Sequence, residues 1–458
     1  MWSIVYCYLG NSVHIPDRYK IAPFEFALKG KPLNFWRNVI TYVLAAFLLP
    51  AGACPLWAQG GTSLGEVARE LRSQRFAEAT TPTKSAAAEA EFTTPGIQSP
   101  ETITFAVLAP LTGPVPYFGA MVRDAARLAV EEWNAKGGVL GKQIVPIIRD
   151  SRCLPEPAED AAKKVINTYK VHYLIGEVCS KASIPISEIA NAKKVIQIAV
   201  ASTDPALTMT KDGKAKDYVY RACFIDPLQG AMAAKFALGR LRAKAAFIML
   251  DPESPYVKGL AEVFEREFTK GGGRIVGKET YATNEMDFSE IVAKIAAARP
   301  EIIYLPDYYN IANRVIEQVR KKGIRATFIG GDGWDSDSLD LEITEGSFFT
   351  NHYYPHDPRP EVQNFVRTFS AKYKDNRGRS KIPDALAALA YDATNLLLTA
   401  IKDAGVDDTA KVRDALNKIT FNGVTGRLTF DANHNPVKPG VMLAVKDGRI
   451  VVDSMVNP

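Results

Sequence analysis

HYLIGEVCSKASIPISEIANAKKVIQIAVA, residues 172–201, contains a complete structural unit. HYLIG (172–176) is a short apolar run and VIQIAVA (195–201) a second one, rich in β-branched residues. Between them, Ser180–Ala192 reads as a helix that begins on a hydroxyl residue. Strands that are apolar throughout, rather than alternating, are buried on both faces, and this is the mark of a parallel sheet covered by helices.

The same unit repeats on either side. Upstream, ITFAVLAP (103–110) and QIVPIIRD (143–150) read as strands. Met121, Ala125, Leu128, Ala129 and Trp133 recur at helical spacing until Gly137-Gly138, and Pro155–Tyr169 reads as another helix. Downstream the pattern restarts. AAFIML (245–250), RIVGKETY (274–281), IIYLP (302–306) and ATFIGG (326–331) are strands, alternating with helices at Tyr256–Lys270, Phe288–Ala298 and Ile311–Lys321. Tyr218–Phe224 reads as the connection between two α/β units and Phe348–Tyr354 as a return crossing. Residues 360–417 are helical in pattern and 424–456 β-rich. A chain that returns to its first unit after completing the second makes two lobes with a cleft between them.

The front of the chain differs. Val39–Ala53, VITYVLAAFLLPAGA, is apolar but shorter than the roughly 20 residues a membrane span needs. Arg37 precedes it, and the small residues Ala51, Gly52, Ala53 and Ala58 follow, as in a secretory signal peptide. Cleavage is expected after Ala58, or before Cys54 with that cysteine lipidated; the free periplasmic form is favoured because Ala51 suits a lipidation signal poorly. Residues 1–30 do not resemble a signal start, so translation is expected to begin near residue 28. Val67–Phe76 could form a short helix, and the Ala/Thr/Pro/Ser-rich stretch after it reads as a linker. The expected division is 1–58 extension and signal peptide, 59–100 linker, 101–222 and 351–438 first lobe, 223–350 second lobe, and 439–458 second lobe or hinge.

Composition narrows the function. Residues 101–458 carry 47 Lys/Arg against 44 Asp/Glu with no long basic run, which argues against a nucleic-acid surface. The sequence has no C-x-x-C, H-E-x-x-H, P-loop or G-x-S-x-G motif, so the commonest metal, nucleotide and nucleophile chemistries lack their signatures. His352 and His356, in NHYYPHDP, have metal-like spacing, but Pro355 breaks the helix that would align them. No cofactor or metal is expected.

Ligands of open parallel sheets bind beyond the carboxyl ends of the strands. Those loops carry Tyr117 and Phe118, Ser180, Ala201 and Thr203, Tyr308, and Asp332 followed by Trp334. Ser180 and Thr203 either cap helices or hold an anion at a helix N-terminus. Asp332, between glycines, is either a turn residue or a ligand contact. The aromatic residues either wall a pocket or fill the core. Cys153 and Cys179 follow neighbouring strands, and in an exported protein a disulfide between them is reasonable; Cys223 is then left as a buried thiol.

Together PLTGPVPYFG (110–119), WNAKGGVLGKQI (133–144), RDSRCLPEPAEDAAKKVI (149–166), YLIGEVCSKASIPISEIA (173–190), VASTDPALT (200–208), FSEIVAKIAAARPEIIYLPDYY (288–309), ATFIGGDGW (326–334) and TGRLTFDANHN (425–435) resemble the leucine/isoleucine/valine-binding proteins. These are the type I periplasmic solute-binding proteins of ABC importers. The resemblance implies an α/β two-lobed clamshell, each lobe a parallel sheet flanked by helices, with three interlobe crossovers. It implies that Ser180 and Thr203 hold a ligand carboxylate and that the Ala201 backbone contacts both the carboxylate and the ammonium. Asp332 falls where an acid pairs with the ammonium, Phe118 and Tyr308 where aromatics line the cleft, and Cys153 and Cys179 at disulfide positions. Two departures matter. Asp332 stands where branched-chain binders have Glu, and Leu386 where some members have an aromatic facing the ligand.

The expected function is an extracytoplasmic binding protein, a monomer without catalysis. It would take a branched-chain amino acid or a related carboxylate or amide and deliver it to an inner-membrane permease. The alternative is a ligand-sensing clamshell acting with a separate membrane receptor. The importer component is favoured because no membrane or DNA-binding pattern follows Pro458. An enzyme using Asp332 and Tyr308 as an acid–base pair lacks any supporting motif.

Overall fold

A computed structural model describes residues 101–456. The expectations for the signal peptide, start site, Cys54 and the 59–100 linker lie outside the described residues.

The first sheet has five parallel strands in the order β2-β1-β3-β4-β5. They are β1 (Thr102–Ala109), β2 (Gln143–Asp150), β3 (Tyr173–Ile175), β4 (Ile196–Ala199) and β5 (Val219–Arg221). Helices α1 (Pro116–Asn134), α2 (Pro155–Asn167) and α3 (Ser180–Lys193) connect them. β3 and β4 are buried at every position, as their unbroken apolar runs require. Tyr218–Phe224 is more than a connection, because its middle is β5, the fifth strand of this sheet.

Helix α4 (Asp226–Gly239) begins the second unit. Sequence periodicity does not show it, since DPLQGAMAAKFALG is small and apolar on nearly every face. The second sheet has seven strands, β14-β13-β10-β9-β8-β6-β7. β6 (Ala245–Leu250), β7 (Arg274–Thr280), β8 (Ile302–Tyr304), β9 (Thr327–Gly330) and β10 (Phe348–Asn351) run parallel. α5 (Pro255–Lys270), α6 (Ser289–Ala298) and α7 (Tyr309–Lys321) alternate with them. β13 (Gly440–Lys446) and β14 (Arg449–Val456) add antiparallel to β10, so this sheet is mixed. Only the end of the 348–354 segment is a crossing, since Phe348–Asn351 is the strand β10.

From His352 the chain returns to α8 (Pro360–Lys372), α9 (Ala385–Ala404) and α10 (Thr409–Leu416). The 360–417 helical stretch is thus broken at residues 373–384. α9 packs along α1, and the Trp133 indole donates to Asn395 Oδ1 at 2.8 Å. The hairpin of β11 (Phe421–Gly423) and β12 (Gly426–Leu428) then leads into β13.

The chain therefore passes three times between the sheets, and buried side chains tie the passages together. The Lys438 ammonium donates to the Ala222 carbonyl at 2.7 Å and to Thr425 Oγ1 at 3.0 Å, joining the last passage to the first. The His352 ring stacks on Phe224 at 3.6 Å, joining the second to the first. Burial pushes the Lys438 amine down to about 8, against the pull of Asp392.

Cys153 and Cys179 form a disulfide, and the Cys223 thiol is buried and free. Closing a 26-residue separation is worth about 3.5 kcal/mol in the chain-entropy view. A Cys153→Ser/Cys179→Ser double variant should therefore unfold at lower denaturant, with a loss of about 3 kcal/mol in equilibrium unfolding. An unchanged midpoint would mean that the bridge does not constrain the unfolded chain.

Candidate functional site

The cleft floor on the first lobe is built from two loops. Cys179 occupies the N-cap of α3, but its side chain is spent in the disulfide and gives no capping oxygen. The helix thus presents backbone N–H groups and the positive end of its dipole. Ser180 is buried, and its Oγ accepts from the Asp204 amide at 3.4 Å, which links the two loops. Ala201, Ser202 and Thr203 follow β4 and are also buried. The Arg221 guanidinium, wholly buried, donates to the carbonyls of Ser202 at 2.8 Å and Asp204 at 2.9 Å, fixing the backbone on both sides of Thr203. The Thr203 hydroxyl has the Asp226 carboxyl beside it, and among the described residues the Ser202 hydroxyl has no hydrogen-bond partner. Buried hydroxyls are seldom left so.

Beneath this loop lies Glu177. It accepts from the Ser151 hydroxyl at 2.6 Å and the Cys179 amide at 2.5 Å. Burial nevertheless pushes its carboxyl up to about 8.

The second lobe contributes the turn Asp332–Trp334, which directly follows β9. Asp332 is 3% exposed. Its Oδ1 accepts from the Tyr256 hydroxyl at 2.8 Å and its Oδ2 from His352 Nε2 at 2.9 Å. Its amide donates to Gln229 Oε1 at 2.8 Å. The glycines around it have a steric cause. A Cβ on Gly331 would stand 2.5 Å from the Tyr256 hydroxyl, and one on Gly333 2.8 Å from the Tyr308 ring.

Burial pushes the His352 imidazole down to about 4, although its bond to Asp332 pulls the other way. At neutral pH the ring is an uncharged donor, so the pair is a hydrogen bond and not an ion pair. A carboxylate has about four lone-pair sites, and these side chains take two. His352 therefore pairs with Asp332, not with His356. Among the described residues no cluster of three or more His, Cys, Asp or Glu is arranged to hold a metal.

Aromatic rings join the lobes. Phe118, on the first turn of α1, meets Tyr308 edge-on at 5.8 Å and Tyr309 at 5.2 Å. Tyr308 in turn stacks flat on Tyr256 at 5.2 Å. Asp226, at the start of α4, lies near Thr203, Asp204 and Asp332, and burial raises its carboxyl pKa well above the usual range. The structure thus brings together Phe118, Ser180, Ala201, Thr203, Tyr308 and Asp332 at one seam. Trp334 is different: it is fully buried, its indole donates to the Leu305 carbonyl, and it belongs to the core.

Tyr256, Gln229, Asp226 and His352 were not singled out by sequence as site residues. Tyr256 opens the helix after strand 245–250, so the strand-end rule applied to that loop would have found it. Gln229 and Asp226 lie on the helix that periodicity does not reveal.

The unfolded chain binds a proton on His352 below about pH 6.5, whereas the fold resists until about 4. This residue should therefore cost stability as pH falls from 6.5 to 4. The unfolding free energy of the wild type relative to His352→Gln should shrink by up to about 3 kcal/mol over that range. A pH-independent difference would contradict a neutral buried imidazole.

A family model described as "Periplasmic binding protein" matches residues 102–449. A Leu-, Ile-, Val-, Thr- and Ala-binding protein of Pseudomonas aeruginosa is 29% identical over 335 residues, 72% of this chain and 86% of the relative. A Leu/Ile/Val-binding protein of Rhizobium johnstonii is 30% identical, covering 71% and 89%. Among solved structures, a leucine-binding protein of Thermotoga maritima superposes with a TM-score of 0.72 at 35% identity, covering 78% of this chain and 99% of that one. A Streptococcus pneumoniae branched-chain binding protein, solved with isoleucine, gives 0.70 at 29% identity, covering 78% and 99%. The two-lobed architecture with its shared cleft is that of these proteins, and the chain belongs to the periplasmic binding protein family, as a type I member related to the Leu/Ile/Val-binding proteins.

Proposed function

We propose that this chain is the extracytoplasmic solute-binding component of an ABC importer. It would hold a small α-amino acid, or a related carboxylate or amide, between its lobes and present the closed form to a membrane permease. The observation that carries this reading is the pairing of opposites across one seam. The first lobe offers an uncapped helix end and the buried Ser180 and Thr203 hydroxyls; the second offers the Asp332 carboxylate with lone pairs to spare. A ligand carboxylate suits the first set and a ligand ammonium the second. Ser180 and the Ala201 backbone complete the carboxylate side, and Phe118 and Tyr308 cover the ligand.

Closure is then two-state. Contacts from Tyr308 and Asp332 exist for the ligand only when the lobes meet, so the ligand favours the closed form by that difference. The protein binds as a monomer, one ligand per chain, in the periplasm, and releases its ligand unchanged. The relatives' names support the amino-acid class: the P. aeruginosa protein is named for five amino acids.

Thermal unfolding of the purified chain with amino acids, aromatic acids and amides tests this. A ligand at 100 times its Kd should add about 2.7 kcal/mol, a rise of several degrees in Tm. No shift with any α-amino acid, carboxylate or amide would overturn the reading. If Asp332 pairs with an ammonium, Asp332→Ala should lose at least about 1.5 kcal/mol of binding in calorimetry. Undiminished affinity would mean that the ligand has no amine there.

A further inference from the structure

Asp332 and Asp335 stand at the two ends of one 3₁₀ turn, the Asp335 amide donating to the Asp332 carbonyl at 3.1 Å. They face different partners. Asp335 reaches the first lobe, where its Oδ2 accepts from the Ala385 amide at 2.8 Å, and it also accepts from Asn351 Nδ2 at 2.8 Å. Asp384, the residue before Ala385, is the N-cap of α9, its Oδ1 accepting from the Ala387 amide at 2.8 Å. Two carboxylates, one from each lobe, thus converge on one helix end.

The donors that hold this pair are neutral: the backbone amides of Ala385, Leu386 and Ala387 and the Asn351 side-chain amide. Arg379 and Lys381 act on Asp337 at the edge of the cluster. Burial raises both inner carboxyl pKa values, with repulsion from Asp335 adding to it at Asp384 and repulsion from Asp337 and Asp332 adding to it at Asp335.

A second observation points to a ligand. Asp384 is 7% exposed and its Oδ2 has no hydrogen-bond partner among the described residues. Tyr353, 3% exposed, has a phenol without a partner as well, and the leading charges on it are Asp335 and Asp384. A carboxylate oxygen and a phenol that feels its charge are therefore both buried without a hydrogen-bond partner, which is costly unless a ligand group pairs with them.

The cluster continues the proposed cleft. Tyr117 is the chain neighbour of Phe118, its ring meets Tyr309 edge-on at 6.4 Å, and its phenol is within reach of the charges of Asp384, Asp337 and Asp335. Buried Leu386 sits on the same first turn of α9 as the carboxylate pair. Leu386 and Phe118, each on the first turn of its helix, are buried and apolar, whereas Asp384 and Asp335 at the start of α9 are acidic.

We infer that the ligand is an α-amino acid whose side chain has an aliphatic stem and a nitrogen donor at its far end, an ammonium, guanidinium or carboxamide, bound between Asp335, Asp384 and Tyr353. The inference rests on the amino-acid reading of Ser180, Thr203 and Asp332 above. The stem lies along Leu386 and Phe118. The terminal N–H groups reach the free Asp384 oxygen and the Tyr353 phenol, and a cationic terminus also balances the paired carboxylates. Since no described group of three acids or histidines is arranged for a metal, an organic donor fits better than an ion.

Calorimetric titration of the whole chain with matched probes tests this. L-norleucine and L-lysine share a four-carbon stem and differ by the terminal ammonium; L-methionine and L-glutamine, and L-leucine and L-arginine, extend the comparison. At least one of lysine, arginine or glutamine should bind tenfold or more tightly than norleucine, methionine and leucine. Asp384→Asn keeps a helix-capping side chain, and Tyr353→Phe removes only a hydroxyl. Each should weaken the nitrogen-terminated ligand at least tenfold and leave residual norleucine binding within twofold. Apolar amino acids binding as tightly as the nitrogen-terminated ones would overturn this inference alone and leave the amino-acid reading standing. So would variants that weaken both classes equally, since the cluster would then be structural. Failure of every α-amino acid, with or without a distal nitrogen, would overturn both.

Discussion

A buried carboxylate held by neutral hydrogen-bond partners, with the buried Lys438 amine acting on it through space, is the constraint around which this cleft is arranged. Asp332 is removed from water, and a bare charge there would be prohibitively costly. Three segments distant in sequence meet it with neutral donors and acceptors. Tyr256 comes from the start of α5, Gln229 from α4 and His352 from the second interlobe passage. Because His352 stays uncharged, these bonds orient the carboxylate without neutralising it. What remains is acceptor capacity on an oriented carboxyl group, complementary to the positive helix end of the first lobe.

The same bonds make the hinge and the binding site one object. His352 touches Asp332 through Nε2 and Phe224 through its ring face, so a passage between lobes is also a support of the site. Arg221 holds the loop that bears Thr203, and Lys438 holds the first and third passages together a few residues away. A ligand that pulls on Asp332 or Thr203 therefore acts on residues already coupled to the crossing strands. This is a physical route by which occupancy can bias lobe closure.

Most of the architecture was legible in the chain. Strands such as Ala245–Leu250 and Gln143–Asp150 end where the sequence pattern says they end, because apolar, β-branched runs bounded by Pro, Gly or Asp leave little choice. Helix α4 was not legible. It is buried on almost every side, so its hydrophobicity has no period, and only the packing of α5 against it explains why it is helical there. Phe348–Asn351 looked like a crossing because it is a strand only through its partners, β9 and, nearly a hundred residues further on, β13. At the site, the residue types at strand ends named Ser180, Thr203, Tyr308 and Asp332. They could not name His352, whose partner Asp332 lies 20 residues away in the chain.

The two α/β units, the loops that would carry chemistry and the cysteines able to bridge are readable along the chain, because they depend on local periodicity and on rules for strand ends. Tertiary structure alone decided which loops face each other. It put Asp332 in the reach of Tyr256 and His352, and it carried Asp335 across the seam to the helix that Asp384 caps. No spacing rule links residue 335 to residue 385; the contact exists because two lobes, each folded for its own core, meet along one line. Burial, and hence the protonation of His352, Glu177 and the paired carboxylates, follows from that meeting and not from the order of residues along the chain.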